Sequence, residues 1–139
     1  MRIVEMTFVA SAGPVAELIV EADQAVVDPA EQRARLEGVH AVWADDAGRT
    51  SLELDCERGE FDLETNDLLA IGNVQGRLGD GRRFAGPWLR YDRSRGVAFT
   101  DAPVTIRDGG HTLRGGGLRY HVRNGRLRLT AGASVVESP

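Results

Sequence analysis

The sequence contains no lysine, a single cysteine and few aromatic residues, which make up 6% of its 139 residues. One cysteine, Cys56, cannot form an internal disulfide or a multi-cysteine metal site, so it indicates no redox compartment. No segment approaches the ~20 apolar residues of a membrane-spanning helix, and the N-terminus lacks the pattern of a signal peptide. We therefore expect one domain over residues 1–139, with no membrane anchor in this chain.

Residues suited to catalysis or metal binding are also sparse. The histidines His40, His111 and His121 have no ligand-type partner at helical or strand spacing, and no serine lies in a G-x-S-x-G motif. Zinc binding or acid–base catalysis would need several such groups to converge through the fold. We predict no metal, no cofactor and no enzymatic activity, with the histidines at the surface.

Two further features have an ordinary structural interpretation. Glu53, Asp55 and Glu57 alternate along one strand face and predict a solvated outer surface, although such a ladder could contribute to a cation site. Cys56 lies on the opposite, apolar face, which favours a buried and unreactive thiol.

The net charge of −4 conceals a strong asymmetry along the chain. Residues 1–69 hold 5 Arg against 16 Asp and Glu (5 − 16 = −11), whereas residues 70–139 hold 12 Arg against 5 (12 − 5 = +7). One interpretation is an arginine preference with ordinary solvated faces. The other is a molecule with an acidic and a basic end, which would orient association with a partner.

Apolar and polar residues alternate with the two-residue period of a half-buried strand in "SLELDC" and "RLRL". Turn signals such as "DDAGR", "GDGR" and "RNG" separate these runs every 8–12 residues. The stretch "DPAEQRARLE" could begin a helix, but alternation resumes at once, so we predict a turn followed by a strand.

Similar positions recur at intervals of about 30 residues, the signature of a repeat architecture. Each unit has an apolar start, a small residue two positions on, an aromatic residue five positions later and then a turn residue. These sets are Leu54, Phe84 and Leu113; Cys56, Gly86 and Gly115; Phe61, Tyr91 and Tyr120; and Asn66, Gly96 and Gly125. Because such units bury their apolar faces only by stacking, the sequence predicts an all-β, twisted, open antiparallel β-jelly roll built from ~30-residue repeats.

The segment "HTLRGGGLRYHVRNGRL" combines glycines with arginines, as a phosphate-binding loop does. It has neither the G-x-x-x-x-G-K-[ST] motif nor a following helix, and its glycines coincide with the small positions of the repeat. Structural glycines are therefore favoured. Arginines among aromatic residues in this half also leave open a surface for single-stranded nucleic acid, anionic lipid or a protein partner.

The whole pattern resembles the periplasmic domain of the LptC family, which acts in lipopolysaccharide export. The resemblance rests on "EMTF…ELIVEADQA", "GNVQG", the "DG" turns, "FAGPWLRYD" and "LRGGGLRY", in this order and spacing. It covers nearly the whole chain. The family normally carries an N-terminal membrane helix, which is not visible here.

The resemblance implies an open β-jelly roll whose apolar groove holds the acyl chains of lipid A. The partners implied are lipopolysaccharide, the inner-membrane ABC transporter LptB/LptF/LptG and an LptA-like periplasmic protein, without nucleic acid. The location implied is the periplasm, in association with the inner membrane. Edge-to-edge self-association is also possible, since open strand edges invite pairing.

From these considerations we expect a non-enzymatic scaffold that passes lipopolysaccharide from the transporter to the LptA-like bridge. The alternatives are an LptA-like bridge component and a β-module that binds carbohydrate or single-stranded nucleic acid. The candidate groove residues are Phe8, Leu18, Val20, Trp43, Leu54, Phe61, Leu69, Ile71, Phe84, Trp88, Tyr91, Phe99, Ile106, Leu113 and Tyr120. The candidate partner-edge residues are Ile3, Met6, Phe8, Leu127, Leu129 and Val135.

Overall fold

The computed structural model describes residues 2–12, 15–130 and 134–137, and this part of the chain consists of strands and turns. The strands are β1 (Arg2–Ala12), β2 (Val15–Asp28), β3 (Arg33–Ala44), β4 (Thr50–Asp62), β5 (Leu68–Leu78), β6 (Arg83–Asp92), β7 (Val97–Thr100), β8 (Val104–Asp108), β9 (His111–Gly115), β10 (Gly117–His121), β11 (Arg126–Thr130) and β12 (Ser134–Glu137). Within the described ranges there is no helix long and apolar enough to cross a membrane.

All strands belong to one antiparallel sheet in which spatial order largely follows sequence order. The main path runs from β1 through β7 to β10 and β11. Strand β6 divides the sheet, because its end pairs with β7 whereas its beginning pairs with β8, which leads on to β9 and β12. The predicted all-β, open antiparallel class is confirmed; the jelly-roll repeat stays a prediction.

Aspartates at the ends of long strands close the turns that follow them. Asp28 Oδ1 accepts hydrogen bonds from the amides of residues 30 and 31, and Asp62 Oδ1 does the same for residues 64 and 65. Asp45, Asp80 and Asp92 likewise accept hydrogen bonds from backbone amides in the turns after β3, β5 and β6. Such Asx turns satisfy amides that the strands leave unpaired. The stretch "DPAEQ" is accordingly a turn, as predicted.

The residues predicted to tolerate a tight turn, Asn66, Gly96 and Gly125, all have positive φ. Their values of 63°, 66° and 73° lie in the left-handed region that asparagine and glycine adopt at low cost.

An irregularity crosses strands β1 to β6 at one level of the sheet. It contains Glu5, Gly38 and Gly72, whose φ values are 57°, 63° and 85°. On β4, the buried residues Cys56 and Gly59 are three positions apart, so the inward-facing positions change phase between them, and at the same level β5 carries one extra residue relative to both β4 and β6. Such a shift is what a β-bulge produces, and it changes which side chains face inward on either side of the line.

Candidate functional site

The inward side chains of the sheet form one apolar interior, which is the candidate functional site. Trp43 and Tyr91 pack edge to face within it, with ring centroids 5.3 Å apart and exposures of 0% and 1%. Each buried methylene contributes about 0.8 kcal/mol, so the interior stabilises the fold and is chemically suited to hydrocarbon. Of the predicted groove residues it contains Leu18, Val20, Trp43, Leu54, Phe61, Phe84, Tyr91, Ile106 and Tyr120.

Phe8 and Leu113 of the predicted groove are only half-buried and pack against this interior. The Phe8 ring lies 4.9 Å from that of Phe61, between centroids, and so joins the edge strand β1 to β4. These residues border the interior where the sheet ends.

The remaining groove candidates lie on the opposite, outer face of the sheet. Leu69 and Ile71 alternate with buried residues of β5, and Trp88 is paired laterally with Ile71. The rings of Trp88 and Phe99 meet edge to face at 6.5 Å, and the guanidinium of Arg119 lies 5.2 Å from the Phe99 centroid. These four apolar residues therefore do not line the interior, and neighbouring groups already engage both rings.

A polar cluster closes one end of the interior. Tyr91 donates a hydrogen bond of 3.2 Å to Glu17 Oε1, and Arg93 Nε lies 3.4 Å from Glu17 Oε2. Arg123 lies 4.0 Å from the same carboxylate, whose side chain is 13% exposed. Burial, with the adjacent Glu17 charge, raises the pKa of Tyr91 well above its usual range. This cluster has no local signal in the sequence, because Glu17 and Tyr91 are far apart in the chain.

A second polar contact ties β4 to β10 across the interior. The Tyr120 hydroxyl donates to the Ser51 carbonyl at 2.8 Å and lies 3.0 Å from Ser51 Oγ, with both side chains buried. By contrast, Trp43 Nε1 is buried without a hydrogen-bond partner among the described residues. A buried donor without an acceptor costs free energy, so this indole can donate to a polar atom introduced by a ligand.

Open edges border the sheet on both sides. Strand β1 pairs only with β2, β11 only with β10, and β12 only with β9, as far as the described residues extend. The predicted partner-edge residues all lie in these strands: Ile3, Met6 and Phe8 in β1, Leu127 and Leu129 in β11, and Val135 in β12. The side chain of Val135 is outside the described part, whereas its backbone pairs with Leu113.

The carboxylate ladder of β4 has partners that the sequence analysis missed. His40 Nδ1 lies 2.8 Å from Asp55 Oδ1 and its Nε2 lies 3.4 Å from Glu53 Oε1, while Arg77 reaches Glu53 Oε2 at 3.5 Å. The pairing of His40 with Asp55 follows from the register of β3 against β4, which local spacing does not reveal. His111 and His121 are exposed. No group of three or more potential ligands suited to a metal ion occurs in residues 2–12, 15–130 and 134–137.

Cys56 is buried, as predicted, and its thiol donates to the carbonyl of Arg58 at 3.1 Å. Burial raises the pKa of Cys56 to about 11, which suppresses the reactive thiolate at neutral pH.

The glycine run is part of the closely packed sheet. A Cβ at Gly117 would lie 2.7 Å from the Thr100 carbonyl oxygen, and one at Gly115 would lie 3.4 Å from Leu129 Cβ. These glycines end β9 and begin β10, so the structural interpretation is confirmed.

Comparisons with known proteins agree with this architecture. The chain resembles a solved structure of LptH from Pseudomonas aeruginosa, described as the LptA-homologous periplasmic component of the conserved lipopolysaccharide transport device. The TM-score is 0.67 at 13% identity, covering 88% of this chain and 95% of that one, which shows a shared fold. No curated protein sequence matches the chain.

A family model described as "Lipopolysaccharide-assembly, LptC-related" matches residues 1–136. The chain belongs to the LptC family. This membership, which the sequence resemblance predicted, gives it a role in lipopolysaccharide transport as a periplasmic, lipid-binding β-protein.

Proposed function

We propose that this LptC-family chain holds the acyl chains of lipopolysaccharide in its apolar interior and passes them from the inner-membrane transporter to an LptA-like bridge. It does so without catalysing a reaction. The observation that carries the proposal is one continuous buried apolar cluster that extends from Ala10 on β1 to Val122, directly after β10. A cluster that follows the sheet offers hydrocarbon a path along the molecule.

Side chains pack the interior closely, so entering acyl chains must replace contacts among them. The half-buried residues Met6 and Phe8 on β1 and Leu127 and Leu129 on β11 pack against the same cluster at the edges of the sheet. Apolar side chains that are only half-buried lose little when a lipid replaces their neighbours. The edge strands are therefore the proposed points of lipid entry and exit.

The open edges also support the proposed order of partners. An incoming strand would find unpaired backbone amides and carbonyls on β1 at one side and on β11 or β12 at the other. We propose that β1 pairs with the transporter's periplasmic β-domain, LptB/LptF/LptG being the complex concerned, and that the C-terminal edge pairs with the LptA-like protein.

Photocrosslinking from adjacent positions with opposite orientation tests the proposal. A photoreactive amino acid replaces Phe61 or Leu118, which face the interior, or their neighbours Glu60 and Arg119, which face outward. We expect crosslinks to lipopolysaccharide from Phe61 and Leu118 during transport and few from Glu60 and Arg119. Labelling from the outward positions alone would contradict the proposal.

A further inference from the structure

Three arginines occupy one lateral row on the outer face, at the ends of their strands. The sheet register pairs Arg77 with Arg83 and Arg83 with Arg107, on β5, β6 and β8. All three side chains are exposed, and among the described residues Arg77 is the one of the three that has a carboxylate partner, Glu53. Like charges directly opposite one another across strands are destabilising. An anion bound between the arginines would offset the repulsion in these two consecutive pairs, so the row is suited to binding an anion.

The row forms one wall of a surface pocket of about 400 Å³. The next lateral row supplies the other wall, with Asp55, Gln75, Ala85 and Thr105. Arginine guanidiniums bind phosphate oxygens in a bidentate manner, whereas carboxylate, amide and hydroxyl groups bind sugar hydroxyls.

We propose that Arg77, Arg83 and Arg107 bind the phosphorylated saccharide of a glycolipid whose acyl chains lie in the interior. The assignment to a glycolipid rests on the proposed function; the anion site rests on the arginine row itself. The row adjoins the turns at residues 79–82 and 109–110, where the outer face meets the end of the sheet. A saccharide that leaves the interior at this end reaches the pocket around the rim.

Binding of deacylated lipopolysaccharide to the whole chain tests this proposal, with isothermal titration calorimetry as the measurement. The double variant Arg83→Gln/Arg107→Gln should bind the phosphorylated glycan at least about tenfold more weakly, since two charge-assisted contacts are lost. Arg90→Gln/Arg128→Gln is the matched control: both arginines are exposed, have no carboxylate partner among the described residues, and Arg90 shares β6 with Arg83. This control variant should bind the phosphorylated glycan with an affinity within about twofold of that of the unchanged chain.

Two further ligands distinguish the source of the phosphate. Dephosphorylated glycan should bind at least about tenfold more weakly than the phosphorylated form, and free pyrophosphate more weakly than the glycan. Equal binding of pyrophosphate and glycan, equal loss in the control variant, or no binding of the phosphorylated glycan would each overturn the proposal.

The proposed anion site and the proposed acyl-binding interior can be tested separately. Crosslinking from Phe61 to intact lipopolysaccharide reports on the interior alone, because Phe61 and the arginine row lie on opposite faces. Loss of glycan binding in Arg83→Gln/Arg107→Gln with Phe61 crosslinks retained supports both proposals.

Discussion

Gly76 lies opposite Phe84 on neighbouring strands, and the aromatic ring covers the glycine. A Cβ at position 76 would collide with Phe84 Cε1, and Phe84 is 5% exposed, so the ring cannot move into solvent without leaving the interior. We expect Gly76→Ala to lower the free energy of unfolding by about 1–3 kcal/mol through overpacking. Urea denaturation measures this. Gly110→Ala, with no atom of the described residues within 4 Å of the added carbon and no positive φ, should have little effect. Equal effects would contradict the assigned packing.

The Cys56 thiol gives a prediction about reactivity and pH. Its pKa of about 11, raised from 9.0 by burial, reduces the thiolate fraction at pH 8 about a hundredfold relative to an unfolded chain. Reaction with Ellman's reagent at pH 8 should be slower by at least that factor in the folded protein than in urea. Because the pKa of Cys56 is higher in the folded than in the unfolded chain, the protonated thiol contributes to the free energy of unfolding. This contribution is present below pH 9 and is lost as the pH rises towards 11. Rapid labelling of the folded protein at pH 8 would refute the assignment.

At the scale of the strands and turns, three aspartates make the stability of the fold depend on pH in the acidic range. Backbone amides of residues 64 and 65 lower the pKa of Asp62, the Arg82 side chain lowers that of Asp80, and the Ser94 hydroxyl lowers that of Asp92. Because these folded values lie below 3.8, their stabilisation is present above that pH and is lost as the pH falls below it.

A triple variant tests this link. Asp62→Asn/Asp80→Asn/Asp92→Asn keeps an oxygen that can accept the turn hydrogen bonds but removes the titrating groups. We expect its stability to fall less between pH 5 and pH 2 than that of the unchanged chain, as measured by denaturation at each pH. Asp46→Asn is the control, since the Asp46 side chain makes no described hydrogen bond or ion pair and its loss should leave the pH dependence unaltered. An unchanged slope in the triple variant would show that the turn aspartates do not determine acid sensitivity.

The strands also show what the sequence could and could not predict. Alternation located "SLELDC" correctly, with Leu54 and Cys56 buried, because the two-residue period holds within each regular stretch. Trp88, named as a groove candidate, lies on the outer face, because the inward-facing positions of β6 change phase between Phe84 and Leu89. A choice of groove residues by size alone cannot detect such a shift. Contacts such as His40 with Asp55 depend on register between strands and likewise leave no local signal.

Across the whole molecule, the charge asymmetry of the sequence becomes an asymmetry of the sheet. Since spatial order follows sequence order, the acidic residues concentrate in β1 to β4 and most arginines in β5 to β11. Opposite charge at the two ends favours head-to-tail over head-to-head association. We expect the dissociation constant for an LptA-like partner to rise at least about fivefold between 50 and 500 mM salt, because screening weakens exposed charges.

Sedimentation velocity at several salt concentrations measures this dependence. An uncharged osmolyte at matched osmolality is the control and should leave the dissociation constant unchanged. Affinity that is independent of salt would show that the charge split does not orient assembly.

The irregularity that crosses β1 to β6 has a consequence for which strands can extend the sheet. Because β1 to β6 all carry the irregularity at one level, a strand that extends the sheet beyond β1 must carry it at the same level as Glu5. A regular strand from an unrelated or misfolded chain can pair only with Arg2–Val4 or with the stretch beginning at Met6. A regular strand therefore pairs with only part of this edge, whereas a strand with a matching irregularity can pair along its whole length. The irregularity thus acts as a register mark that favours a matching partner strand over an unrelated one.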